Sequence, residues 1–226
     1  RHAAIITFLD GMWPRRITAD HCAGVGAAMA KLHLAGADFA IKRPNALSVD
    51  SWRALLRSCG TRADEIKPGL AALLAHELDD LEAGWPGPQS GLPGGVIHAD
   101  LFPDNIFFKA GELSGLIDFY FACNDVFAYD VAIALNAWCF EADGSFNVTK
   151  ARRLLTDYRK VRAFSEAELA ALPLLARGSA MRFLLTRLYD WLNTPKDALV
   201  TPKNPLEYLE KLKFHQAVKG PGDYGL

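Results

Sequence analysis

Residues 94–120 read GGVIHADLFPDNIFFKAGELSGLIDFY, and this stretch places acidic and amide side chains between short apolar runs. One apolar run leads into His98, Asp100 stands two residues later, and Asn105 follows five residues after Asp100. Two further apolar runs, joined by a glycine-containing turn, end at Asp118. Apolar runs of this length between turn residues predict a strand followed by a hairpin. The stretch therefore predicts a loop that presents three polar side chains between strands.

These three side chains suit the transfer of a phosphoryl group from ATP to a hydroxyl, which requires mainly positioning and charge neutralisation. Asp100 is the candidate catalytic base. Asn105 and Asp118 offer the oxygen ligands that Mg²⁺ takes together with phosphate oxygens, so we predict ATP and Mg²⁺ as cofactors. His98 is a further catalytic candidate, although we favour a role in bracing the loop. Asp and Asn are also common turn residues, but turn chemistry alone does not explain the whole arrangement.

The pattern H-x-D-x-x-x-x-N, followed by a strand ending in Asp, matches the protein-kinase signature in its spacing. Ala99 stands where that signature has Arg, and Asp118 is followed by Phe-Tyr rather than Phe-Gly. No A-P-E segment follows. These departures favour a small-molecule acceptor over a protein substrate.

The same residues resemble the aminoglycoside phosphotransferase and choline kinase superfamily of small-molecule kinases. Three runs are similar to the bacterial homoserine kinases of that superfamily: LIDFYFACND at 116–125, YDVAIALNAWC at 129–139 and RFLLTRLYDWL at 182–192. The resemblance covers nearly the whole chain. It implies an enzyme that uses ATP and takes L-homoserine as its small-molecule substrate, in threonine biosynthesis.

The resemblance also implies the fold class, α+β and protein-kinase-like. We expect mainly the helical C-terminal lobe, a small catalytic β-hairpin and the last strand of the N-terminal lobe. Residues 1–10 would hold that strand and the start of the hinge, and residues 11–226 the helical lobe. The apolar run HAAIITFL at 2–9 is the predicted strand, and Phe8 and Leu9 would contact the adenine. The glycine loop and lysine of a kinase N-terminal lobe are not found in this sequence.

Homoserine is a zwitterion, so its site needs an anion, a cation and a base near the hydroxyl. Arg187 and Asp190 lie three residues apart on one helical face and could supply the opposed charges, or could equally form a structural ion pair. Further substrate candidates follow the metal-binding Asp, with loop formation as their alternative role; they are Tyr120, Asn124 and Asp125.

Other readings remain open at this point. Asp130, by resemblance, supports the catalytic loop rather than the substrate. Another acceptor of the same superfamily is the nearest alternative, namely choline, an aminoglycoside or methylthioribose. Trp138 and Trp191 could form an aromatic cage for such a cation, although core packing is the simpler role for them. A catalytically silent binding module with the kinase shape is the alternative from another class.

Composition is typical of a cytoplasmic enzyme. A formal charge of −1 and a pI near 6.7 argue against a nucleic-acid partner. The four cysteines show neither zinc-ligand nor disulfide spacing, so we expect buried thiols. We find no apolar run long enough to span a membrane, and we predict no particular oligomeric state.

The apolar spacing elsewhere predicts a mostly helical chain. A Gly- and Pro-rich surface connector is expected at residues 84–95, and the last seven residues, GPGDYGL, are expected to fray. Helices are predicted at residues 18–35, 63–83, 126–140, 149–163, 166–192 with a possible break at Pro173, and 205–218.

Overall fold

A computed structural model describes residues 7–87, 90–195 and 197–226 of the chain. Most of these residues lie in helices that surround two small antiparallel β-sheets. The helices are α1 (Ala19–Ala35), α2 (Val49–Cys59), α3 (Ala63–Ile66), α4 (Leu70–Gly84), α5 (Phe127–Trp138), α6 (Val148–Val161), α7 (Glu166–Asn193) and α8 (Leu206–Ala217). The strands are β1 (Gly94–Ile97), β2 (Ile106–Lys109), β3 (Glu112–Leu116) and β4 (Cys123–Val126).

The predicted catalytic hairpin is present as β2 and β3, which pair antiparallel with an irregularity after Phe107. Ala110 and Gly111 both adopt positive φ angles, 52° and 86°, in the tight turn between the strands. The predicted strand before His98 is β1. It pairs with β4, a strand that the sequence did not predict because C-N-D-V has little of the β-branched and aromatic character of strands.

Helix α1 begins where the sequence predicts and packs closely against α6. The Thr18 side chain accepts a hydrogen bond from the backbone of His21, and the His21 ring accepts one from the Thr18 backbone, which caps the first turn. At the helix crossing, a Cβ on Gly26 would overlap the backbone oxygen of Leu154. Gly26 therefore allows the two backbones to approach each other.

Helices α5 and α7 form the centre of the fold. Nearly every residue of α5 is buried, which explains its almost continuous apolar sequence. Helix α7 continues through Pro173, so the possible break there is absent. Within the described residues, α7 is the one helix long and apolar enough to cross a membrane, which corrects the expectation that none would be. In this fold 61% of its apolar window is buried, as in a core helix.

Two helical predictions need correction. The stretch at 63–83 forms two helices, because Pro68 disfavours helical geometry at Lys67 and Gly69 takes a left-handed conformation with φ 78°. The C-terminal residues do not fray. Pro221–Tyr224 forms a short 3₁₀ helix, and the buried Tyr224 hydroxyl lies 2.8 Å from Nδ1 of His215.

The structure tests the predicted N-terminal strand only in part. Residues 2–6 of the predicted strand lie outside the described residues, and residues 7–9 are in neither helix nor strand. Met12 instead makes a two-hydrogen-bond bridge to Phe108 of β2, with N···O distances of 3.0 and 2.9 Å. All four cysteines are free thiols and buried, as predicted.

Candidate active site

The turn after β1 is held by a buried carboxylate on α5. The two oxygens of Asp130 accept hydrogen bonds from the backbone nitrogens of His98 and Ala99, each at 2.9 Å. Nε2 of His33 lies 3.0 Å from the same carboxylate. Burial alone would raise the pKa of Asp130, but the bonds from His33 and the backbone outweigh it and the pKa is lowered. Asp130 thus binds the loop as an ionised acceptor, which is the geometry that a supporting role requires.

Ala99 takes a left-handed conformation with φ 62°, which is uncommon for a residue with a Cβ. Its backbone nitrogen is bound by Asp130, and its carbonyl oxygen accepts a hydrogen bond from Nη1 of Arg182 at 2.6 Å. Both partners are buried. The strained residue is therefore held on both sides, and it turns the chain so that Asp100 faces the cleft described below.

Asp100 and Asn105 are joined across the turn. The Asn105 amide donates from Nδ2 to the backbone oxygen of Asp100 at 2.8 Å. A short 3₁₀ turn, Pro103–Asn105, sets this geometry. Because the amide nitrogen is used, the carbonyl oxygen of Asn105 is left to act as an acceptor. This is the atom that a metal ligand requires.

Asp118 lies two residues after the end of β3, in a left-handed conformation with φ 61° and ψ 59°. The backbone nitrogen of Ile117, the residue before it, donates to the backbone oxygen of Asn105 at 3.0 Å. The two predicted metal ligands are therefore tied together through the backbone. The carboxylate of Asp118 has no hydrogen-bond partner among the described residues and lines the same cleft as Asn105.

His98 lies beneath the loop rather than in the cleft. Its side chain is fully buried, and Nε2 donates to the backbone oxygen of Ile117 at 3.0 Å. This bond connects the end of β1 to the end of β3. The geometry supports a bracing role for His98.

Burial raises the pKa of Asp100 above its ordinary value. The positive charge of Arg182 opposes this effect, whereas the neighbouring carboxylates of Asp118 and Asp104 add to it. A carboxylate with a raised pKa is a stronger base for a substrate hydroxyl. Sequence reasoning missed Arg182, because nothing in its helical spacing distinguishes a buried arginine under a loop from an exposed one.

A cleft of about 230 Å³ opens above these residues. It contains the three predicted catalytic and metal-binding residues together with an aromatic wall and two cations. The wall is the edge-to-face pair of Phe102 and Phe183, whose ring centroids are 4.9 Å apart. The lining residues are Asp100, Phe102, Asp104, Asn105, Asp118, Phe183, Arg187 and Lys203.

The predicted opposed pair on α7 is separated by the structure. Arg187 lines the cleft, and its Nη1 donates to Glu207 of α8 at 2.6 Å. Asp190 is exposed and is not among the residues that line the cleft. The two residues therefore form neither the predicted charge pair nor an ion pair with each other.

The three candidates after Asp118 lie outside the cleft lining. The Tyr120 ring is 71% exposed, and its backbone oxygen accepts a hydrogen bond from Arg43 at 2.6 Å. Asn124 accepts from the backbone of Arg43, and Asp125 accepts from the side chain of Asn45, both at 2.8 Å. These contacts attach the connection between α1 and α2 to β4, which favours the loop-forming role.

The donor set fits a hard divalent cation that is shared with phosphate groups. Asn105 and Asp118 supply one neutral and one charged oxygen, the chemistry that Mg²⁺ accepts when waters and phosphates complete its coordination. In the part of the chain that the structure describes, no cluster of three His, Cys, Asp or Glu side chains could hold a metal by itself. A metal at this site would therefore depend on the nucleotide for further ligands.

The two tryptophans considered for a cation cage do not meet. Trp138 is fully buried, and its indole nitrogen donates to the backbone oxygen of Leu101 at 2.7 Å. Trp191 lines a separate surface pocket near the end of α7. Core packing is thus the role of Trp138.

A catalytic loop supported from the core, a hairpin ending in Asp118 and a small charged cleft together define a small-molecule kinase with a protein-kinase-like fold. Solved structures show the same fold. The choline kinase from Cryptosporidium parvum Iowa II has a TM-score of 0.65 and 15% identity, with 92% of this chain and 68% of that chain covered. An aminoglycoside phosphotransferase from Alicyclobacillus acidocaldarius has a TM-score of 0.64 and 15% identity, covering 92% and 66%.

Sequence relatives are much closer. Residues 1–164 match the phosphotransferase enzyme family. The homoserine kinase of Rhodospirillum rubrum is 66% identical over 226 residues, which is all of this chain and 70% of that protein. The homoserine kinase of Bradyrhizobium diazoefficiens is 66% identical over 227 residues, with 100% and 68% covered. The chain therefore belongs to the phosphotransferase enzyme family, in its homoserine kinase branch, and the resemblance and fold class inferred from its sequence are confirmed.

Proposed function

We propose that the protein transfers the γ-phosphoryl group of ATP to the hydroxyl of L-homoserine, with Mg²⁺ bound by Asn105 and Asp118. The observation that carries this proposal is the cleft. It holds the candidate base Asp100, whose pKa is raised, two candidate oxygen ligands for a metal, and two cations within about 230 Å³. The cleft thus offers charges of both signs for a zwitterionic acceptor and two candidate ligands for a metal bound to phosphate.

In the proposed reaction the homoserine hydroxyl oxygen forms a bond to the γ-phosphorus, and the bond from that phosphorus to the β,γ-bridging oxygen breaks. ADP leaves with the electron pair of that bond. Asp100 orients the hydroxyl and takes its proton. When bound, Mg²⁺ neutralises charge on the phosphate oxygens. Asp130 and Arg182 contribute by keeping the Asp100 loop in one conformation.

The size and charge of the cleft support homoserine over the alternative acceptors. Pockets for drug-sized ligands have volumes of about 300–1,000 Å³, so this cleft is small for an aminoglycoside. Choline and aminoglycosides have no carboxylate to pair with Arg187 and Lys203, whereas homoserine carries both a carboxylate and an ammonium group. The homoserine kinases to which the chain is similar support the same choice.

The nucleotide-binding part of this proposal follows the predicted domain division, with residues 1–10 as the strand and hinge and residues 11–226 as the catalytic lobe. Phe8 is 86% exposed, and Leu9 packs over Gly115 of β3. Both remain candidates for adenine contacts. A cytoplasmic location, which an enzyme of amino-acid biosynthesis would have, also stays a prediction.

The silent-module alternative has less support. The candidate base and both metal-ligand candidates line one cleft, and buried residues hold the loop that carries the base. A protein that had lost catalysis would have no requirement for this arrangement.

The test is ADP release by the full-length protein with Mg·ATP and a panel of acceptors: L-homoserine, choline, an aminoglycoside and methylthioribose. We expect turnover with homoserine and none above background with the others. Turnover with another acceptor alone would keep the kinase chemistry and reject the substrate. No turnover with any acceptor, under conditions where ATP binds, would favour the binding module.

A further inference from the structure

Asp104 and Lys203 form a pair of opposite charges at the mouth of the cleft. Phosphoryl transfer itself does not use this pair. Nζ of Lys203 lies 3.9 Å from Oδ2 of Asp104, and the two side chains are 62% and 60% exposed. Exposed pairs at such distances contribute little to stability. Both residues nevertheless line the cleft that contains Asp100. They are held loosely enough to exchange partners when a charged ligand enters.

We propose that Asp104 and Lys203 recognise the zwitterion of the acceptor. Asp104 binds the α-ammonium group, and Lys203 binds the α-carboxylate together with Arg187. This inference rests on the proposed function and names the charged groups of its acceptor site. It assigns to Asp104 the anionic role for which the sequence suggested Asp190.

Asp104 is well placed for an ammonium group near the reacting hydroxyl. It belongs to the 3₁₀ turn Pro103–Asn105, directly after the segment that carries Asp100. Among the described residues its carboxylate has no hydrogen-bond partner and only the 3.9 Å contact with Lys203. Its lone pairs are therefore available to the three donors of a substrate ammonium.

The two cations of the cleft are suited to a carboxylate. Arg187 uses Nη1 for Glu207 and the backbone oxygen of Asn204, at 2.6 and 3.5 Å, while Nε and Nη2 have no partner in the described part of the chain. These two nitrogens form a fork that matches a carboxylate. Lys203 lies on the connection between α7 and α8, so both cations border the cleft from the same part of the chain.

The cleft also has an apolar wall, which suits the methylene groups of the acceptor. The ring centroids of Phe102 and Phe183 are 4.9 Å apart, and Nζ of Lys203 lies 5.6 Å from the Phe102 centroid. A bound zwitterion would separate Lys203 from Asp104 and give each a substrate partner. An acceptor with only one charge would leave one of these residues unpaired in the occupied cleft, which lowers its affinity.

The test compares three acceptors that share the same hydroxyl end: L-homoserine, γ-hydroxybutyrate, which lacks the ammonium, and 3-aminopropanol, which lacks the carboxylate. With the full-length protein, Asp104→Asn should lower kcat/KM for homoserine about 10- to 100-fold and that for γ-hydroxybutyrate less than about twofold. Lys203→Gln should lower the values for both carboxylates and change that for 3-aminopropanol less than about twofold.

Asp104 precedes the metal-ligand candidate Asn105, so the readout must distinguish recognition from damage to the metal site. Damage would lower kcat/KM for all three acceptors equally and raise the Mg²⁺ concentration needed for half-maximal activity, and this result would overturn the proposal. A selective loss in Asp190→Asn, in place of Asp104→Asn, would do the same. Absence of homoserine turnover in the wild type rejects the proposed function as well. If the wild type turns homoserine over normally and the variants keep the wild-type ratios of kcat/KM among the three acceptors, only the charge assignment is rejected.

Discussion

Oδ1 of Asp130 lies 2.9 Å from the backbone nitrogen of Ala99 and so connects the centre of α5 to a loop residue with φ 62°. Asp130 is fully buried, and its Oδ2 is hydrogen-bonded to the backbone nitrogen of His98 and to Nε2 of His33. The loop next to the base is thus held by the core. Its conformation should depend on this one carboxylate.

Replacing Asp130 by Ala should reduce both stability and turnover. The change leaves two backbone N–H groups and His33 without their buried acceptor, and loss of one partner of a buried pair costs about 3–5 kcal/mol. Urea denaturation measures the free energy of unfolding. Asp20→Asn, which removes an exposed partner of Arg153, should change it by less than about 0.5 kcal/mol. Equal effects of the two variants would contradict the supporting role.

Replacing Asp100 by Asn should lower kcat by about 10²- to 10⁴-fold, because the hydroxyl loses its proton acceptor. The affinity for Mg·ATP should stay near that of the wild type, since Asp100 is not a predicted metal ligand.

Asp118→Ala should instead weaken Mg²⁺-dependent nucleotide binding as well as turnover. Nucleotide titration and initial rates separate the two effects, and normal turnover in Asp118→Ala would refute the metal assignment.

Two glycines of α1 offer a matched test of close helix packing. Gly26→Ala should lower the free energy of unfolding by about 1–3 kcal/mol or more, because its Cβ would overlap the backbone of Leu154. Gly24→Ala places its Cβ 3.5 Å from the Phe108 ring, an ordinary contact. This control should stabilise the helix by about 0.5–1 kcal/mol. A similar loss in both variants would show that helix crossing is not the cause.

Acid should destabilise the protein through His215. Burial lowers its pKa from 6.5 to about 3, and the charge of nearby Lys211 acts in the same direction. The unfolded chain therefore binds a proton below about pH 6.5 that the folded protein excludes, so stability falls as the pH falls. Between pH 6.5 and 5.0 the loss is about 2 kcal/mol.

Urea denaturation at several pH values measures this dependence. His215→Gln should show a flatter decline with acid, because the proton-binding group is gone. His76→Gln, at an exposed position of α4, is the control and should keep the wild-type slope. A wild-type slope in His215→Gln would place the acid sensitivity elsewhere.

The sequence predicted much of this architecture for identifiable reasons. The loop residues Asp100, Asn105 and Asp118 follow from the chemistry of phosphoryl transfer, and their spacing already implied the hairpin that the structure contains. Long helices such as α1 and α7 were visible because their apolar residues recur with helical spacing. The apolar spacing continues across α3 and α4, so the sequence predicted one helix there and missed the break at Pro68.

Other features depend on contacts between distant residues, which local patterns do not reveal. Strand β4 pairs with β1 although its own sequence is polar. Tyr224 is buried because His215 provides a partner nine residues earlier. Lys203 lines the cleft from the connection between α7 and α8. The path of this connection cannot be predicted from the spacing of its residues. The acceptor site that we propose could therefore be argued only from the tertiary structure.

The contact between Arg182 and Ala99 joins residues that are 83 positions apart in the chain. The conformation of the loop in this structure consequently depends on α7, and a chain that ends before this helix would lack the Arg182 contact. Formation of the loop is therefore coupled to the docking of α7. A measurement of activity during refolding reports the completion of the core rather than the formation of the loop by itself.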